Sequence, residues 1–491
     1  MSINPAIRAL IATSLLMLSV TAAAQEPPPL LISVDRYEVT GDNPLDAATT
    51  AAAVAPFTGE FDGLDGLRAA SDALESELRR RGFVFHRVVL PPQELAGGTV
   101  KLEVLTFALG DKRVTGNERL DDNRIIAALP ALAPGTTPNL REVSRSLAVA
   151  NEHPGRRLGL NFTRSPTEPD TLDANVRVTE RRPYTVFAGL NNIGTDESGN
   201  LRLTLGVEHN DLFWREHIAT ATFTTSPDNA DDVRQYAFNY RAPVYALNGW
   251  IQAFYIRSDV DVGNVQSFFD ISGAGDFAGV NFKHTLLPIG RYRHSLSVMI
   301  QDRRFDTNIS NAATGAGIPG ISTVVRSRPI SATYQSSYSW PKSRASFSVD
   351  FIQNLTFGGN NRDQDYRRVR RGAEADWNAI RFGAAVSHEL PHGWLGVGKV
   401  AGQYADEPLI PGEQYGLGGE RTVRGYEERA IAGDDAVLFN FEIWAPPIRD
   451  WYGLRFFAFA DVGFKHLEEP QNPQITSDTI SSAGLGFRVN I

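Results

Sequence analysis

Leu201-Arg202-Leu203-Thr204-Leu205-Gly206-Val207-Glu208 puts an apolar side chain at every odd position, and Ala345-Ser346-Phe347-Ser348-Val349-Asp350-Phe351 repeats the pattern. Successive side chains of a strand point to opposite faces, so each stretch has one apolar and one polar face. Similar stretches run from Tyr184 to the end of the sequence and predict about fourteen strands of ten or more residues. That length matches the ~9–11 tilted residues that cross a bilayer and exceeds the usual soluble strand of ~5–6. A soluble sandwich hides its apolar faces in one dry core and rarely sustains the alternation over some 300 residues. A transmembrane antiparallel β-barrel inverts the arrangement, with apolar side chains toward lipid and polar ones toward a water-filled lumen. Tyr338, Trp340, Trp250 and Trp451 fall at strand ends, where an interfacial girdle is expected.

The connections alternate as a barrel requires. Pro341-Lys342-Ser343 and Pro446 to Asp450 read as tight periplasmic turns. Asn308 to Thr323 and Phe357 to Arg371 read as long extracellular loops, their charges solvated.

The segment before the barrel has a different grammar. Arg8, the apolar run Ala9 to Val20 and Ala22-Ala23-Ala24 make residues 1–24 a signal peptide, followed by a short spacer through Pro29 and Leu30. Two units of α+β character come next. In the first, at 31–107, strands at Ile32 to Val39, Phe83 to Val89 and Thr99 to Leu105 flank a helix with Leu67, Ala70, Leu74 and Leu78 on one face, closed by Gly82. In the second, at 108–182, a strand near Lys112 to Val114 leads to helices around Asn123 to Leu129 and over Leu140 to Ala150. Strands at Arg157 to Thr163 and Leu172 to Val178 complete it. The barrel then occupies 183–491.

Composition excludes several classes. The net charge of -9 becomes -10 once the signal, charged only at Arg8, is removed. A nucleic-acid binder needs clustered cations to displace phosphate counterions, so none is expected as a partner. With no cysteine, an exported chain cannot be held by disulfides. No segment approaches the ~20 apolar residues of a membrane helix. His388-Glu389-Leu390-Pro391-His392 spells the zinc-protease motif, but Pro391 lies inside the helix that the motif needs. No metal, cofactor or catalytic residue is expected.

Tyr415 to Gly433 is too glycine-rich for a strand and surrounds Val423-Arg424-Gly425-Tyr426. On the strand from Leu454, Arg455, Phe457, Phe459 and Asp461 face inward while Leu454, Phe456, Ala458, Ala460 and Val462 face lipid. A carboxylate in a narrow lumen is costly to leave unpaired, and an arginine on a flexible loop can satisfy it bidentately.

Val423-Arg424-Gly425-Tyr426 resembles the inward-folding loop signature of the outer-membrane assembly and secretion superfamily, and Phe459-Ala460-Asp461-Val462-Gly463 resembles its F-x-D-x-G barrel strand. The two units resemble POTRA domains. Pro91-Pro92-Gln93-Glu94-Leu95 with Gly98 resembles the first POTRA of two-partner secretion transporters, the ShlB/FhaC/HecB or TpsB type. Two POTRA units favour that branch over the BamA and TamA branches. Asn151 to Gly155 and Leu190 to Gly194 add to the match.

The resemblance implies that Arg424 pairs with Asp461 to hold the loop, 415–433, in the pore. It implies that POTRA edges bind an extended segment of an unfolded secreted partner, a haemolysin, adhesin or toxin of the TpsA type, by strand addition. It further implies contact with outer-membrane lipid and insertion by the barrel assembly machinery. The alternative within the superfamily is a factor that inserts other barrels; a porin has no use for the modules, and a hydrolase lacks its constellation. Two departures stand out. The spacer is too short for a plug helix, and only one strand, Ser482 to Ile491, follows the F-x-D-x-G strand where the family has three more to make sixteen. That leaves an open seam or a fourteen-stranded closure, and the uncompressed spacing of the strands favours the seam.

The mature N-terminus should be Gln25, and the chain should fractionate with the outer membrane as a heat-modifiable gel band. A folded protein recovered from the soluble periplasm would contradict the barrel.

Overall fold

A computed structural model describes residues 31–489, apart from 96, 196–197, 231–232, 260–261, 266–268, 273, 311–316 and 449–450. The expected signal peptide, the Gln25–Pro29 spacer, Asn490 and Ile491 lie outside the described residues. The chain forms two compact units that divide between Thr106 and Phe107.

In the first unit the helix Asp65–Arg80 buries Leu67, Ala70, Leu74 and Leu78 completely, against Leu102, Val104 and Val88 of a three-stranded sheet. A second helix, Ala47–Val54, is capped by Asp46, whose carboxylate accepts from the Thr49 amide at 2.8 Å. The expected strand Ile32 to Val39 is broken in two at Asp35. Leu31–Val34 pairs with Gly59–Asp62, whereas Arg36–Gly41 pairs parallel with Thr99–Thr106. Gly98 makes the break: its carbonyl accepts from the amides of Asp35 and Arg36, and at φ +65° a side chain here would strike Asp35.

The second unit opens with a module of like grammar, a sheet in the order Ala108–Thr115, Thr171–Glu180, Arg156–Arg164. The helices Asp122–Ala127 and Leu140–Ala150 cover one face of it. Asn151 ties the end of the second helix to the sheet, its side-chain amide bonding Leu158 at both carbonyl (2.9 Å) and amide (2.7 Å).

Fourteen strands then succeed one another antiparallel: β1 Tyr184–Asn191, β2 Arg202–Leu212, β3 His217–Thr225, β4 Arg234–Val244, β5 Gly249–Ser258, β6 Gly275–Thr285, β7 Tyr292–Ser310, β8 Pro329–Ser339, β9 Ser343–Asn354, β10 Asn378–Glu389, β11 Leu395–Tyr404, β12 Asp435–Trp444, β13 Arg455–His466 and β14 Ser477–Arg488. The outward positions are apolar and exposed, as Leu205, Val207, Phe347, Phe351 and Leu485 show. The inward ones form polar ladders: Thr204 meets Thr224 at 2.8 Å, Gln252 meets Asn239 at 2.7 Å and Thr333 meets Asp350 at 2.7 Å. Such a wall suits lipid outside and water within. Among the described residues β1 and β14 pair on one side only, so the seam is open and the fourteen-strand closure does not form.

Several expectations are corrected. Trp250 is not a girdle residue. It is 2% exposed, stacked on His153 of the second module, with the Arg241 guanidinium 3.9 Å from its ring. Trp340 and Trp451 are exposed at turn ends. Asn308 to Thr323 is largely strand, because Gly317–Ser327 pairs with the far end of β7. Phe357 to Arg371 is not a solvated loop. It carries the helix Asp363–Val369, whose Tyr366 and Val369 pack with Trp377, Leu409 and Phe305 in a core across the outer mouth. Tyr415 to Gly433 contains short strands after all, Tyr415–Leu417 paired with Ile431–Gly433.

The second module is welded to the inner rim. Arg156, fully buried at its side chain, binds Glu216 in the β2–β3 turn and the Tyr245 hydroxyl (2.9 Å), which itself donates to Glu216 (2.8 Å). Glu152 receives Arg241 at 2.6 Å and Lys283 at 3.0 Å. Burial holds the His153 imidazole below its ordinary range, consistent with a neutral ring that accepts from the Gly155 amide at 3.1 Å.

Arg156→Ala should cost about 3–5 kcal/mol, because Glu216 is left as a buried unpaired charge. Limited proteolysis around residues 181–183 should accelerate in that variant while the barrel stays heat-modifiable. Unchanged cleavage would show that the weld contributes nothing.

Candidate functional site: a loop held against the inner wall

The connection between β11 and β12 returns into the barrel instead of leaving it. Its stalk is the paired Tyr415–Leu417 and Ile431–Gly433. Leu417 and Val423, both 0% exposed, pack with Ala436 and Leu438 of β12 and Ile480 of β14. Gly463 on β13 provides the room: a Cβ there would lie 3.1 Å from the side chains of both Leu417 and Val423.

With the loop seated, Arg424 meets Asp461 halfway along β13. Its Nε donates to Asp461 Oδ2 and its Nη2 to Oδ1, each at 2.7 Å, and its own amide donates to Oδ2 at 3.1 Å. Bidentate geometry of this kind fixes direction as well as distance. The guanidinium carbon lies 3.8 Å from the Phe459 ring centroid, so the first aromatic of the strand motif forms the floor of the site. Gly425 at φ +88° has open space where a Cβ would go, so the constraint on it is conformational. The Tyr426 hydroxyl donates to the Ser481 carbonyl of β14 at 3.2 Å.

Two neighbours absent from the sequence reading complete the site. Glu442 accepts from Arg424 Nη1 at 2.7 Å. Asn440 spans loop and wall through one amide, donating to the Thr422 carbonyl (2.7 Å) and to Asp461 Oδ1 (2.8 Å). The signal for both was available, since Asn440 and Glu442 are the inward positions of β12 and lie opposite Asp461 and Phe459 in register.

A second buried pair closes the outer end. Arg370, from the β9–β10 connection, grips Asp434 at the start of β12 and donates to the Leu409 carbonyl at 2.6 Å. Asp434, 0% exposed, also accepts from the amides of Leu409 (2.9 Å) and Glu468 (2.8 Å), so three outer connections meet on one carboxylate.

The remaining predicted residues lie elsewhere. Gln93 uses its side-chain amide as a strand residue would, donating to the Lys101 carbonyl (2.8 Å) and accepting from its amide (2.7 Å) just beyond the end of the edge strand His86–Val89. Pro91 and Pro92 lead into that position, and Leu95 is 40% exposed. His388 lies on β10 against Ser343 (2.7 Å), and His392 sits in a turn at φ +61°.

The model of the family described as Haemolysin secretion/activation protein ShlB/FhaC/HecB matches residues 171–489, and that of the POTRA domain, ShlB-type, matches 32–106. The outer membrane transporter CdiB of Dickeya dadantii is 21% identical over 420 residues, 84% of this chain and 72% of that protein. The heme/hemopexin transporter protein HuxB of Haemophilus influenzae is 22% identical over 448 residues, 88% and 76% of the two chains. The structure of CdiB from Escherichia coli superposes with a TM-score of 0.77 at 18% identity, covering 100% of this chain and 93% of that one, and shares its fold. The chain belongs to the ShlB/FhaC/HecB family of haemolysin secretion/activation proteins.

Proposed function

We propose that this protein is the outer-membrane pore of a two-partner secretion route. It takes an exported partner of the TpsA type in extended form from the periplasm and passes it to the cell surface. The observation that carries the reading is the Arg424–Asp461 lock: a loop with no enzymatic constellation is drawn into a barrel and fastened to its wall by two parallel 2.7 Å bonds.

Residues 31–107 and 108–182 act as POTRA domains 1 and 2. Each sheet has two edge strands, Arg36–Gly41 and His86–Val89 in one, Ala108–Thr115 and Arg156–Arg164 in the other. Val88 is already covered by Glu75 and Ser71, Leu109 by Gly135 and Thr136, and Leu158 by Asn151, which leaves Arg36–Gly41 and the remaining lengths of the second pair for strand addition. Such edges accept an extended segment through main-chain hydrogen bonds with little demand on its sequence. The weld at Arg156 and Glu152 keeps the second module over the inner mouth. From there the segment enters the lumen, where the loop 415–433 closes the path at rest and has to yield. The reading assigns no cofactor and no catalytic step; folding of the partner outside biases the movement. Outer-membrane lipid covers the apolar face of the wall, and the barrel assembly machinery inserts it.

Arg424→Ala should reduce secretion and change channel conductance. Breaking a buried pair on one side costs ~3–5 kcal/mol, and the effect here should be smaller because Asn440 still serves Asp461 and the lumen is wet. The double variant Arg424→Ala, Asp461→Ala should be less defective than the sum of the two single changes. Strict additivity would show the residues uncoupled.

Deleting 32–178 should leave a heat-modifiable barrel that secretes nothing, measured as partner protein in the medium of cells that express both. Secretion surviving the deletion would remove the modules as the capture device.

A further inference from the structure

Charges in the second unit are mostly matched. Arg424 serves Asp461 and Glu442, Arg303 serves Glu413, and Arg370 serves Asp434. Several cations that lack an acidic partner lie in one place. A cavity of about 780 Å³ runs from Ala148 and Glu152 of the second module to Arg421 and Thr422 of the inward loop. Four cations line it, Lys283, Arg293, Lys399 and Arg421, against the single carboxylate of Glu152. That carboxylate is already taken by Lys283 and Arg241. Arg293 donates to the Gly290 carbonyl (2.8 Å) and has no acidic partner among the described residues. The side chains of Lys399 and Arg421 have no ion pair or hydrogen bond among the described residues.

The wall facing this space is made of small residues. Ser337 pairs with Ser346 and Ser346 with Ala385; one step outward Gln335 pairs with Ser348 and Ser348 with Gly383. An approaching backbone meets hydroxyls there instead of bulky side chains. So a chain of net charge -9 holds an excess of positive charge along its own route.

We propose that this vestibule is a binding site for an acidic, extended stretch of polypeptide on its way through the pore, an inference that rests on the transport reading above. Unpaired cations in a cleft with low-dielectric walls focus their field and raise the local concentration of an anionic ligand. The positive groups lie along the cavity, from Arg293 near the β6–β7 turn to Arg421 on the loop, which suits charges strung along a chain better than a compact ion. Because Lys399 and Arg421 are exposed to solvent, the grip is reversible, as passage requires: strong enough to enter, weak enough to leave.

The test uses the purified full-length protein in detergent and two fluorescent peptides, one alternating Glu and Ser, the other Lys and Ser. The Glu/Ser peptide should bind saturably, weaken with salt, and bind about tenfold more tightly than the Lys/Ser peptide. Lys399→Glu and Arg421→Glu should each weaken it by about tenfold. Lys399→Gln, with a smaller loss in the same direction, replaces the first variant should that one lose its heat-modifiable migration. No binding, equal binding of both peptides, or affinity untouched by these substitutions would overturn the proposal. Partner secretion measured in parallel separates the two claims. A protein that secretes but does not discriminate the peptides refutes the vestibule alone, and one that discriminates them but secretes nothing overturns the transport reading.

Discussion

A carboxylate fixed in the wall of a membrane pore cannot be paired from the lipid side, and Asp461 is paired from within. It is 3% exposed and accepts four hydrogen bonds, three from the side chain and amide of Arg424 and one from the side chain of Asn440. The loop is therefore part of the barrel's electrostatic closure. What surrounds the pair follows from this requirement: Gly463 clears space for Val423, Gly425 turns the backbone after the arginine, and Phe459 supports the guanidinium. Seated by these contacts, the loop lies inside the barrel against its wall.

The same logic, a buried ion pair where connections converge, recurs at both ends. At the inner rim Arg156 and Glu216 fix the second module where a segment would enter. At the outer mouth Arg370 and Asp434 gather three connections over a core of Tyr366, Trp377 and Leu409. Buried pairs are weak contributors to net stability but costly to break on one side, which makes them suited to specifying one arrangement of loops among several. In this outer-membrane protein each of them joins elements that the barrel strands alone would leave free to move.

Period-two alternation made the barrel legible, because lipid on one side and water on the other impose it on every strand and no tertiary detail can erase it. The lock was legible for a related reason: Arg424 and Asp461 belong to short motifs with unusual composition. The pairs at the two ends were not. Arg156 and Glu216 are 60 residues apart and Arg370 and Asp434 are 64 apart, in segments whose charges look like ordinary solvated ones. Trp250 was misplaced because a tryptophan at a strand end reads as a girdle residue unless one knows that a module covers that part of the rim. The helix Asp363–Val369 was hidden by its arginines and aspartates, although Tyr366 and Val369 stand one helical turn apart and mark its buried face.

Because the chain has no cysteine, a designed disulfide reports on the loop without background. A Cβ at Gly463 would lie 3.1 Å from Val423 Cγ2, a separation compatible with a bond between cysteines at the two positions. In cells carrying Val423→Cys with Gly463→Cys, partner secretion should stop when the cross-link forms and return when it is reduced, each single variant secreting under both conditions. Full secretion through a barrel whose loop is demonstrably cross-linked would contradict the claim that the loop closes the path and has to yield.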